Sequence, residues 1–100
     1  MFEELLQAWD GEQALIRFDR ESGTWMFICI HSTRRGPAGG GTRMRVYAAP
    51  GEGLRDGMRL AEGMTRKMAV LGVPFGGGKA VLAVPELPSG EARRELLRRY

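Results

Sequence analysis

The 100-residue chain is 43% hydrophobic and carries a formal charge of +3 at pH 7. A chain of this length builds one hydrophobic core rather than two, and no apolar run approaches the ~18 residues that a membrane helix needs. One cysteine, Cys29, excludes an internal disulfide and fits a reducing cytoplasm; the arginines, crowded at Arg93, Arg94, Arg98 and Arg99, read as a solvated face, not a nucleic-acid surface.

The start, MFEELLQAWDGE, is acidic and amphipathic, unlike a secretion signal. Phe2, Leu5, Leu6 and Trp9 recur at helical spacing and predict a short helix that Gly11 ends. ALIRF (14–18) and TWMFICIH (24–31), separated by the turn-forming DRESG, predict a hairpin. In its second strand Trp25, Phe27 and Cys29 alternate with Met26, Ile28 and Ile30, apolar on both faces, which places it inside a covered sheet. RRGPAGGG (34–41) is too rich in glycine to be regular. TRMRVY (42–47) reads as a half-exposed strand with Thr42, Met44 and Val46 on one face. From about Glu52 to Leu71 the period turns helical, with Leu54, Met58, Ala61, Met64, Met68 and Leu71 as the apolar stripe and Gly72 and Pro74 as the stop. KAVLAV (79–84) is a further buried strand, and Ser89 is the N-cap of a last helix whose apolar positions are Ala92, Leu96, Leu97 and Tyr100. The order predicts an α/β fold, a small mixed sheet flanked by helices with at least one crossover, as one domain over 1–100.

Of fifteen lysines and arginines only two are lysines, Lys67 and Lys79. Lys67 lies about 100° round the helix from Arg66, off the wet stripe of Arg55, Arg59, Glu62 and Arg66. Two readings are open: its stem lies on apolar neighbours while the ammonium reaches water, or it projects over the gap at Gly63 to hold an anionic substrate group such as a carboxylate. Lys79 follows three glycines and opens an apolar strand. It is not the lysine of a phosphate-gripping loop, because Val73 stands where that loop needs glycine, Ala80 follows where it needs Ser or Thr, and a strand follows where it needs a helix. No G-x-G-x-x-G occurs, so no dinucleotide fingerprint is present.

Gly76, Gly77 and Gly78, like Gly39, Gly40 and Gly41, are either flexible turns or backbone kept bare for a ligand, and two such triplets beside strand ends suggest a shared cleft. In a shared cleft, burial and mutual repulsion disfavour protonation of one of two lysines, which can then act as a base while the other stays charged; arginine cannot do this. Cys29 reads as core, His31 as structural, with no second histidine, cysteine cluster or carboxylate pattern near it, and Met64 as core able to line a pocket.

IHSTRRGPAGGGTRM (30–44) followed by RLAEGMTRKMAVLGVPFGGGKAVLAVP (59–85) resembles the N-terminal, substrate-binding segment of the leucine, phenylalanine and valine dehydrogenases, relatives of glutamate dehydrogenase. The likeness covers roughly residues 13 to 85. It implies reversible NAD-dependent oxidative deamination of an apolar L-amino acid to its 2-oxo acid and ammonia by a cytoplasmic homo-oligomer. By match to the family's motifs, Lys67 would bind the substrate α-carboxylate and Lys79 would be the catalytic lysine that, with water, manages proton transfer. Gly39, Gly40 and Gly41 would lie against the substrate, with Met64 walling the pocket. Glutamate-specific relatives carry a lysine at the position of Gly39, so the resemblance disfavours glutamate and leaves room for a bulky apolar side chain. It also places the family's catalytic aspartate and the NAD-binding Rossmann domain beyond this sequence, so the domain is expected to be incomplete at its C-terminal end and inactive alone. The alternatives are a non-catalytic oligomerisation or amino-acid-binding module, and a basic nucleic-acid-binding domain; the apolar setting of Trp25 and Phe27 speaks against the last.

Overall fold

The computed structural model describes residues 2–100. Its elements run α1 (Phe2–Ala8), β1 (Gln13–Asp19), β2 (Thr24–Ser32), β3 (Ala38–Gly39), β4 (Thr42–Val46), α2 (Pro50–Leu71), β5 (Gly76–Val84) and α3 (Gly90–Arg99). The β1–β2 hairpin pairs antiparallel from Asp19 opposite Thr24 to Gln13 opposite Ile30. β2 pairs antiparallel with β5, whose other edge takes up β3 and then β4, both parallel to it. β4, α2 and β5 therefore form a β-α-β crossover, and β5 is the central strand, buried along its length except at half-buried Lys79.

Two stretches differ from expectation. β5 starts at Gly76, so the glycines expected to form a loop before Lys79 are strand residues, and Ala38–Gly39 forms a short strand within the segment expected to be irregular. Strand preference largely records how a side chain packs on a pleated surface; here neighbouring backbone supplies the packing that side chains usually provide.

α2 starts with Pro50, whose missing N–H costs nothing in the first turn, and with Glu52, a favourable charge at the positive end of the helix. It ends at Gly72, in the left-handed conformation at φ 72°. There Gly72 N–H donates to Ala69 O and Val73 N–H to Met68 O, the Schellman pattern. The helix rests on the sheet along a line of small residues four apart. A β-carbon on Gly53 would lie 3.1 Å from both Phe27 and Ala83 side chains, and one on Gly57 would lie 3.0 Å from Cys29 Sγ. Beside that line Leu54, Met58 and Ala61 are buried with Phe27, Cys29, Val81 and Ala83, and Leu5 and Trp9 pack against the same cluster. The expected stripe stops short of the helix end: Leu71 is 62% exposed and Val70 86%, because the last turn overhangs the sheet.

The opposite face is covered by α3. Leu96 is buried with Met26, Leu82 and Val84, with Met44 packed alongside. Of the four apolar positions expected to face inward on this helix only Leu96 is buried; Ala92, Leu97 and Tyr100 are exposed. Ser89 stands at the N-cap with extended backbone but makes no side-chain cap bond. No helix among the described residues is long and apolar enough to cross a membrane.

Two carboxylates act as joints. Asp56 on α2 accepts hydrogen bonds from Tyr47 Oη at 2.6 Å, Arg43 at 3.1 Å and Arg59 at 2.6 Å, fastening the helix to β4. Burial and this contact push the Tyr47 hydroxyl up to about 12. Asp19, at the hairpin turn, takes two bonds from Arg99 at 2.9 and 3.0 Å, tying the end of α3 to the sheet. The Arg99 guanidinium, with help from Ser22, lowers the Asp19 carboxyl from 3.8 to about 2. Because the folded value is depressed, the stability this group contributes is complete above pH 3.8 and drains away as pH falls through about 2. The side chain of Asp19 is 7% exposed and that of Arg99 26%, so an orphaned Asp19 is the costlier of the two. Arg99→Ala is therefore expected to lower the urea midpoint at pH 7 more than Asp19→Asn, which should cost about 1–3 kcal/mol; the reverse order would contradict this account of the joint.

Candidate active site

Alternation along β5 turns Gly77, Lys79, Val81 and Ala83 toward α2. At Gly77 the helix touches the strand directly. A β-carbon there would lie 2.2 Å from both the backbone nitrogen and the hydroxyl of Thr65 and 2.6 Å from Ala61 O. Approaches this close are far inside van der Waals contact, so only glycine fits.

The second glycine triplet closes on the same place. A β-carbon on Gly40 would lie 1.7 Å from Gly78 O, and one on Gly76 would lie 1.8 Å from Ser32 O. The two triplets therefore do meet, but at these positions the bare backbone is required by the protein's own backbone rather than by a flexible turn. On the rim, Met64 Cγ is 3.5 Å from the β-carbon position of Gly40, and Lys79 Nζ is 3.5 Å from that of Gly41. Ala80 N–H donates to Gly41 O at 3.1 Å, which pins this loop beside Lys79. An open depression of about 220 Å³ is lined here by Gly40, Gly41, Gly78 and Lys79, with Ile28 and Tyr100 also at its walls. Another hollow, of about 340 Å³, lies between the hairpin turn and α3, but its one cation, Arg99, is already paired with Asp19 and Glu21.

Lys67 departs from expectation. It is exposed rather than turned off the solvent face, because it sits on the overhanging end of α2, and the space at Gly63 is open, with nothing within 4 Å of an added β-carbon. The structure thus groups Lys79, Gly40, Gly41 and Met64, and leaves Lys67 one turn along α2 from Met64, at the solvent. Among the described residues neither lysine makes an ion pair or hydrogen bond. Both amines are free to meet a ligand.

Residues 14–100 match the family model described as "Glu/Leu/Phe/Val dehydrogenase, dimerisation domain". The chain belongs to this family. It is 49% identical over 77 residues to the leucine dehydrogenase of Geobacillus stearothermophilus, a match covering 77% of this chain and 21% of that one. It is 51% identical over 71 residues to the phenylalanine dehydrogenase of Lysinibacillus sphaericus, covering 71% and 19%. Among solved structures, the L-tryptophan dehydrogenase of Nostoc punctiforme superposes with a TM-score of 0.84 at 38% identity, covering 100% of this chain and 29% of that one. The chain spans about a fifth of the length of those leucine and phenylalanine relatives.

Other residues around the family's glycine motifs were not legible as neighbours in the sequence. The space over Gly39 is bounded by Met68, whose Cε lies 3.2 Å from its β-carbon position, and by Phe75 Cβ at 4.0 Å. Both are apolar, and among the described residues no cation lies within 4 Å of that position. Carboxylates do lie beside His31, contrary to expectation: its Nε2 is 2.6 Å from Asp10 Oδ1 and 3.9 Å from Glu62 Oε1, while Nδ1 is 2.8 Å from Thr65 Oγ1. Asp10 and Glu62 are 21 and 31 residues from His31 in the chain, so no local pattern announces them. Asp10's carboxyl is held below its usual range by the bond to His31. The three can approach a metal-binding arrangement, but each already has a protein partner, Glu62 through Arg66 at 2.9 Å. Cys29 is wholly buried, and burial alone raises its thiol to about 11, so it serves as core.

Gly77→Ala is expected to destabilise the domain by more than about 3 kcal/mol, since its methyl meets backbone that cannot yield. Gly63→Ala, in open space within a helix, should gain roughly 1 kcal/mol from helix propensity. Thermal melting of the two variants reads the contrast directly, and parent-like melting of Gly77→Ala would refute the close approach.

Proposed function

We propose that this domain is the substrate-binding part of an NAD-dependent amino-acid dehydrogenase that converts an apolar L-amino acid reversibly to its 2-oxo acid and ammonia. The observation that carries this reading is the placing of the Lys79 amine against the Gly41 backbone, where two glycine triplets from separate parts of the chain converge. A substrate carbonyl or amine can approach such backbone closely, and a single proton-carrying group stands at its edge.

In this reading Lys67 receives the α-carboxylate. Its ammonium is unpaired and its stem is long enough to swing toward a bound acid from the end of α2. Lys79 handles the proton: in deamination its Nζ takes a proton from the water that attacks the imine carbon, then returns one to the departing nitrogen as ammonia leaves. Gly40 and Gly41 keep the approach open and Met64 limits it. Over Gly39 the apolar walls of Met68 and Phe75 favour a branched-chain or aromatic side chain over that of glutamate, which would lie there without a counter-charge.

No G-x-G-x-x-G follows a strand in these 100 residues. Of the three glycines in the first turns of α2, Gly53 and Gly57 are taken up in packing on Phe27, Ala83, Cys29 and Val81, and Gly51 lies in open space. In this reading the hydride step belongs to a nucleotide-binding part outside these 100 residues, which is supported by the chain covering only 21% and 19% of the leucine and phenylalanine relatives, and the domain alone is expected to be inactive. Assembly as a homo-oligomer is supported by β1, an outer strand that pairs on one side only and exposes Leu15, Ile16 and Phe18.

The test is steady-state kinetics of the full-length product of the reading frame, with leucine, valine, phenylalanine and glutamate as rival substrates. Lys79→Ala should cut kcat by roughly 10²–10⁴ with little change in KM, and Lys67→Ala should chiefly raise the KM for the amino acid. Mild, equal effects of the two substitutions, or a preference for glutamate, would count against the assignment.

A further inference from the structure

We infer that His31 is a positioning residue: through Thr65 it fixes where α2 sits along β5, and so the separation of Lys67 from Lys79. The inference rests on the dehydrogenase reading above and names residues that the reading does not use.

The sheet is irregular where His31 stands. Along β2 and β5 the pairing runs regularly to Ile30 opposite Gly78, and then Ser32, not His31, stands opposite Gly77. His31 is the extra residue of a bulge, a device that re-aims a side chain. Here it aims the imidazole at α2, where Nδ1 lies 2.8 Å from Thr65 Oγ1. Asp10 holds the other nitrogen at 2.6 Å, and the Trp9 ring lies against the imidazole at 5.8 Å between centroids. The Thr65 hydroxyl can donate to the neutral ring, or accept from the charged ring while its own proton turns to Ala61 O at 3.4 Å. The link thus survives in either state.

At this point packing sets how closely α2 approaches β5 but supplies little that fixes its place along the strand. Glycines 76 to 78 present no side chains as notches, and apolar contact has no direction, whereas a hydrogen bond does. Asp56 anchors the first half of α2 to β4. Among the described residues, the side-chain polar links from β2 to the second half all run through His31, to Thr65 and Glu62. The anchor point is also near the backbone that carries each lysine: Thr65 is two residues before Lys67, and Gly77, the residue it touches, is two before Lys79. A slip of α2 there would shift the two lysine-bearing stretches of backbone against each other, and misplacement of about 1 Å can cost 10²-fold in rate.

The experiment compares Thr65→Val, which keeps the shape and removes the hydroxyl, with Thr65→Ser, which keeps the hydroxyl, and with His31→Phe, all in the full-length protein. Thr65→Val and His31→Phe should each raise the KM for the amino acid roughly tenfold to a hundredfold with the KM for NAD unchanged. Thr65→Ser should stay within about threefold of the parent, and the double variant should be no worse than either single one, because both remove the same link. If Thr65→Val does not fold, Thr65→Ala and His31→Asn take its place in the same comparison. A Thr65→Val enzyme with the parent's KM, or a serine variant as impaired as the valine one, would overturn the positioning role alone. A parent inactive on every amino acid would instead overturn the dehydrogenase reading, and this inference with it.

Discussion

The site depends on one contact: a helix laid on a strand with no side chain between them. Thr65 and Ala61 of α2 reach the backbone of Gly77, and the Gly39–Gly41 loop reaches Gly78 from the side. Glycine is costly in regular structure, about 0.5–1 kcal/mol per position relative to alanine, and this domain accepts that cost in both the helix and the strand. What it gains is proximity. The backbones of helix and strand come close enough that Thr65 and Gly77, twelve positions apart in the chain, meet with no side chain between them.

The fixed charges serve the same arrangement. Arginine makes the joints: Arg43 and Arg59 at Asp56, Arg66 at Glu62, Arg99 at Asp19 and Glu21. A planar guanidinium that presents several donors in fixed directions suits a carboxylate that must stay put. The two lysines take no part in these pairings. Unlike the four arginines named here, the two lysines have no carboxylate partner among the described residues.

Much of the fold was legible because hydrophobic periodicity reports it directly: the hairpin, the long helix, the half-exposed β4 with Met44 turned inward, and the helix stop at Gly72 all follow from spacing and turn chemistry. The glycine stretches were not. Glycine in sequence signals a loop, and only tertiary structure shows that these glycines pair as strand because another backbone lies where a side chain would be. The contact face of α2 was legible only in part for a related reason. Leu54, Met58 and Ala61 are buried as their spacing predicts, while Gly53 and Gly57, which also lie on the sheet, are not marked by hydrophobicity. Lys79 and its glycine neighbours were readable from the motif they form; the solvent position of Lys67 and the carboxylates around His31 were not, since they depend on where a helix overhangs and on residues brought from distant segments.

The wall around the glycine seam is made of two kinds of position. Gly40, Gly76 and Gly77 admit no other residue, because backbone occupies the space. Met68 and Phe75 border the same region with flexible or half-exposed side chains. Sequence drift is thereby channelled into a few tolerant sites, and a lineage can reshape the apolar rim over Gly39 without disturbing the backbone that seats α2 on β5.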